Sequence, residues 1–78
     1  MGLFNVRISK TAEAEFLKIP FPLRRQINQA LFKLKDVPLP PGAEAVEPPI
    51  YRLLVHGWFV VYEMDAAARI VTVFRIYR

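Results

Sequence analysis

Residues 51–78 read YRLLVHGWFVVYEMDAAARIVTVFRIYR, three runs of alternating bulky side chains broken only by His56-Gly57 and by the stretch DAAA. Few folds accept such a segment. Alternation with period two belongs to half-buried strands, a two-residue break ending in glycine suits a tight hairpin, and the second break suits a slightly longer turn. The spacing predicts a three-stranded antiparallel meander that needs cover on one face.

The preceding residues supply that cover. LFNVRI (3–8) alternates like a first strand, and Ser9 is placed to cap a helix with Glu13 in its first turn and Ala12, Phe16, Leu17 and Ile19 as its apolar stripe. IPFP ends it. Pro22 suits the first turn of a second helix, in which Leu23, Ile27, Ala30, Leu31 and Leu34 share a face. That helix should stop near Asp36, because Val37 precedes Pro38. VPLPPGAEAVEPP (37–49) carries five of the seven prolines and reads as a stiff connection without a regular element. The expectation is a single α+β domain over residues 1–78. Two N-terminal helices pack on one face of a four-stranded, mainly antiparallel sheet, in the order β-α-α-β-β-β, with the first strand at an edge or beside the meander.

Composition narrows the setting. Seventy-eight residues allow one small core, which a 54% hydrophobic share can fill, and the absence of cysteine removes disulfides and thiolate metal sites. The N-terminus lacks the pattern of a signal peptide, and Gly2 is followed by Val6 where lipidation would call for Ser or Thr. No apolar run approaches the roughly 20 residues that span a bilayer. A soluble, cytoplasmic protein without cofactor or metal is expected, one that does not engage a membrane. The net charge of +4 favours a polyanionic partner.

Strand parity sorts the faces. Tyr51, Leu53 and Val55, then Trp58, Val60, Tyr62 and Met64, then Ile70, Thr72, Phe74 and Ile76 are assigned to the helix-covered side. The outer side then gathers Arg52, His56, Glu63, Arg75 and Tyr77, with Leu54, Phe59, Val61, Val71 and Val73 between them. Residues two apart on a strand lie roughly 6.5 to 7 Å from each other, so Arg75 and Tyr77 can touch one ligand. Cutting RNA without a metal takes a base for the 2′-hydroxyl, a donor for the leaving oxygen and cations around the phosphate, and the arginine fork suits the last task. The same alternation also suits a solvated sheet face with cross-strand Arg–Glu pairs.

The element order, the helical pattern L..IP...RR.I...L..L and the segment from Tyr51 to Arg78 resemble the RelE/ParE superfamily of bacterial and archaeal toxins, over essentially the whole chain. The resemblance implies a toxin held inactive by an acidic cognate antitoxin. RelE-like members cut messenger RNA on the ribosome, and ParE-like members inhibit DNA gyrase. It places Arg52 at a basic position before the hairpin, Arg75 at an arginine frequent in the final strand, and Tyr77 and Arg78 at or next to C-terminal catalytic positions. Glu63 and His56 are candidate bases. Two departures stand out: Phe59 occupies a position where the nucleases usually carry arginine, and the basic and aromatic C-terminal extension of RelE itself is missing after Arg78. The expected activity is therefore a ribosome-dependent endoribonuclease, with a non-catalytic gyrase inhibitor or antitoxin-binding relic as the alternative.

Overall fold

The computed structural model describes residues 3–78, and Gly2, considered above for lipidation, lies outside them. The chain runs β1 (Asn5–Ile8), α1 (Lys10–Leu17), α2 (Phe21–Lys33), β2 (Glu44–Glu47), β3 (Ile50–Val55), β4 (Trp58–Asp65) and β5 (Ile70–Tyr77). The sheet order is β1-β5-β4-β3-β2, with β1 parallel to β5 and the other pairs antiparallel. No helix among the described residues is long and apolar enough to cross a membrane.

Ser9 caps α1 as the sequence implies, its hydroxyl accepting from Ala12 N at 3.1 Å, and Pro22 sits in the first turn of α2. Ala12 from α1, Ile27 from α2, and Ile19 and Leu34 just beyond the ends of these helices enter the core and meet Leu53, Val60, Tyr62, Val71, Val73 and Ile76 from the sheet. Leu17, read as part of the buried stripe, is exposed instead, as the last residue of α1.

The four-strand expectation needs correction. The sheet has five strands and is mixed, because Glu44–Glu47 within the proline-rich connection forms β2 along the free edge of β3. All four of its residues are exposed, so no burial pattern marks it in the sequence. Tyr62 holds the connection in place, donating its hydroxyl to Pro38 O at 2.6 Å from the floor of the core.

The parity of β5 needs correction too. Val71 and Val73 are buried, while Phe74 is exposed. The register against β4 shifts between Val61, which faces Arg75, and Tyr62, which faces Val73, leaving Phe74 as the extra residue of a bulge. Beyond the bulge the expected parity returns, with Ile76 inward and Arg75 and Tyr77 outward. β1 ends at this same point, and α1 takes over the strand edge. Ser9 N and Oγ donate to Val73 O and Phe74 O, and the Glu15 carboxylate accepts from Ile76 N at 2.8 Å.

Candidate active site

Cross-strand register arranges the open face of the sheet in rows. Glu44, Arg52, Val61 and Arg75 stand side by side across β2, β3, β4 and β5. The next row toward the hairpin holds Leu54, Phe59 and Tyr77, and the row on the other side holds Glu47, Ile50, Glu63 and Thr72. Two cations and a phenol thus meet where the rows adjoin. Val46, Arg52, Val61, Arg75 and Tyr77 line a shallow cleft of about 370 Å³.

Aromatic rings fix the cations within it. The Arg52 guanidinium lies 4.7 Å from the centre of the Phe59 ring, and that of Arg75 lies 5.6 Å from the Tyr77 ring. Phe59 and Tyr77 lean on each other at 5.6 Å between centroids. A cation over an aromatic face gains electrostatic attraction and loses rotamer freedom, so both forks are held before any ligand arrives.

Each arginine also meets a carboxylate. Arg52 Nη2 pairs with Glu44 Oε1 at 3.3 Å, and Arg75 Nε pairs with Glu15 Oε2 at 2.9 Å. The Glu44 carboxylate first, then the Tyr77 phenol, raise the Arg52 pKa above its ordinary value, so its charge is permanent. The Arg52 Nε is enclosed without a hydrogen-bond partner. The terminal nitrogens of the guanidinium fork match the spacing of phosphate oxygens.

No protein-family model and no curated protein matches this sequence. Solved structures do. The toxin–antitoxin complex RelBE2 from Mycobacterium tuberculosis aligns with a TM-score of 0.85 at 18% identity, covering 96% of this chain and 96% of that one. A mutant E. coli RelE toxin in the free state gives 0.82 at 20%, covering 100% of this chain and 84% of that one. The chromosomal ParDE system of P. aeruginosa gives 0.76 at 12%, covering 97% and 96%. The fold is that of the RelE/ParE toxin superfamily.

On this RelE/ParE fold the candidate residues separate. Arg52, Arg75 and Tyr77 come together in the cleft, and Glu63 stands on the same face in the adjoining row, in no ion pair among the described residues. His56 does not join them. Its φ of 50° with that of Gly57 at 84° forms the tight hairpin turn, which ends strand alternation and turns the imidazole toward α2, in a groove with Gln26, Gln29 and Lys33. Arg78 is also elsewhere: it follows Ile76 in parity, and its guanidinium lies 5.4 Å from the ring of Trp58, which the pairing with Val55 puts on the helix side. Sequence reasoning missed Glu15 and Glu44. Glu15 sits on α1, 60 residues from its partner Arg75, and no local pattern announces that contact.

Proposed function

We propose that this chain is the toxin of a toxin–antitoxin pair and that its cleft cuts messenger RNA on the ribosome. The observation that carries the reading is the convergence of Arg52, Arg75 and Tyr77 in one cleft on the open face of a RelE/ParE fold. The two guanidinium groups hold the scissile phosphate and stabilise the charge that builds up on it. The 2′ oxygen attacks phosphorus and its proton passes to the Glu63 carboxylate. The bond from phosphorus to the 5′ oxygen breaks, and that oxygen takes the Tyr77 proton. A 2′,3′-cyclic phosphate and a 5′-hydroxyl result. Phe59, beneath the Arg52 guanidinium and against the Tyr77 ring, backs both groups where they meet the phosphate.

The solved relatives include RelE bound to RelB and to a RelB peptide, which supports an acidic antitoxin as the partner of this basic chain. Cytoplasmic action follows from a ribosomal target.

A second reading, a gyrase inhibitor or a toxin without catalysis, is favoured by a specific feature: both cleft arginines already meet carboxylates, and Phe59 supplies a ring in place of a third guanidinium. Induced expression separates the two. The ribonuclease produces translational arrest with message ends that map to ribosomes, whereas intact messages together with inhibited supercoiling by purified gyrase would replace it with the second reading.

A further inference from the structure

We propose that Glu15 is a positioning residue for the cleft, holding the Arg75 guanidinium in register so that its two terminal nitrogens remain for the phosphate. This rests on the reading of the cleft as a phosphate site. The geometry separates Glu15 from Glu44. Glu15 Oε1 accepts from the backbone N–H of Ile76 at 2.8 Å while Oε2 accepts from Arg75 Nε at 2.9 Å, so one carboxylate ties helix α1, the strand edge and the side chain together. Its side chain is only 21% exposed, against 66% for Glu44, which makes one longer contact of 3.3 Å from an edge strand. A carboxylate fixed by a backbone amide stays when substrate arrives, and one held by a single exposed contact exchanges for phosphate. Glu15 therefore spends the Nε donor and spares Nη1 and Nη2, whereas Glu44 occupies an Nη2 that a phosphate would need.

The bulge at Phe74 is what makes this possible. β1 stops pairing at Val73, leaving the Ile76 N–H without a strand partner, and Glu15 fills the gap from the second turn of α1. Arg75 lies where β5 runs on past the end of β1, with 54% of its side chain exposed, and the Tyr77 ring at 5.6 Å alone would leave its guanidinium freer to change rotamer. Misplacement by about 1 Å costs on the order of 100-fold in rate when a group acts by position.

Glu15→Gln tests the role, since an amide oxygen still accepts from Ile76 N but its NH2 group confronts the Arg75 donor. Cleavage of message on programmed ribosomes should show kcat lowered at least about 10-fold with KM within about 2-fold, and no further loss when the change is made in Arg75→Ala. Glu44→Gln should instead lower KM and leave kcat unchanged. In a second arm that needs no activity, 15N NMR of the arginine Nε–H groups should show a slowly exchanging Arg75 signal, assigned by its disappearance in Arg75→Ala. That signal should persist in Glu44→Gln and exchange rapidly in Glu15→Gln. Equal exchange rates in the intact chain and Glu15→Gln would overturn the proposal, as would an equal kcat loss in the presence and absence of Arg75. A chain that cuts no message defeats the ribonuclease reading, and the NMR arm still decides the role of Glu15.

Discussion

Replacing Tyr62 by phenylalanine removes one oxygen from the floor of the core and has an effect whose sign depends on pH. The Tyr62 side chain is fully buried, and its hydroxyl is the donor that holds Pro38 O at 2.6 Å, anchoring the connection that carries β2 to the sheet. Loss of such a bond with its acceptor left enclosed costs about 1.5 kcal/mol. For a domain of this size the melting temperature should fall by roughly 6 to 12 °C. At high pH the order changes. Burial first, and the neighbouring Tyr51 second, push the Tyr62 pKa up from 10.0 to about 12. The folded state therefore keeps a proton that the unfolded chain releases above pH 10, and stability is lost as pH rises from 10 to about 12. At about 1.4 kcal/mol per pH unit, the loss reaches about 1.4 kcal/mol by pH 11 and about 2.3 kcal/mol by pH 12. Phenylalanine has no such proton, so the variant, less stable at neutral pH, should equal the parent near pH 11 and surpass it above. Denaturant unfolding followed by circular dichroism from pH 7 to 12 checks this. Parallel stability curves across pH 10 to 12, or equal stability at pH 7, would refute the assignment of Tyr62 as the clamp.

Other perturbations address the cleft. Arg52→Ala with Arg75→Ala should lower message cleavage by about 1,000-fold or more, while circular dichroism finds the fold retained because both side chains are partly exposed. Phe59→Ala removes the ring beneath Arg52, and single-turnover cleavage should slow by about 2- to 5-fold, corresponding to a cation–π contribution of about 0.5 to 1 kcal/mol. His56→Asn replaces a residue strained at positive φ by one that tolerates it; unfolding should show about 0.5 kcal/mol more stability, with translational arrest unchanged because His56 lies away from the cleft.

What the sequence reveals of this fold depends on whether a residue's environment leaves a local pattern. The facing of Arg52, Arg75 and Tyr77 was legible because polar side chains alternate there with Leu53, Ile76 and their neighbours, whereas Arg78, in parity with Ile76 and against Trp58, shows that a charge alone does not mark the open face. The first half of β5 was not legible. IVTVF carries apolar or β-branched residues on both parities, so alternation cannot choose between Val71 and Thr72, and the bulge at Phe74 reverses the choice midway. β2 escaped for another reason: an exposed edge strand flanked by prolines has no buried side to reveal it, and only the free edge of β3 makes it a strand. His56 was misplaced because strand parity was extended into a residue whose φ is 50°. Glu15 illustrates a different limit, since a helical glutamate that reaches Arg75 and Ile76 is indistinguishable in sequence from the solvated Glu13 beside it.

The most direct test of the cleft as an RNA-cutting site is cleavage of two messages on purified programmed ribosomes, one all-ribose and one with a single 2′-deoxy nucleotide at the mapped cut. Cutting through the attack of a 2′ oxygen requires that the first message be cleaved to a 2′,3′-cyclic phosphate end and that the second remain whole at that position. An all-ribose message left intact by the purified chain, or a 2′-deoxy site cut as fast as its ribose counterpart, would contradict the account.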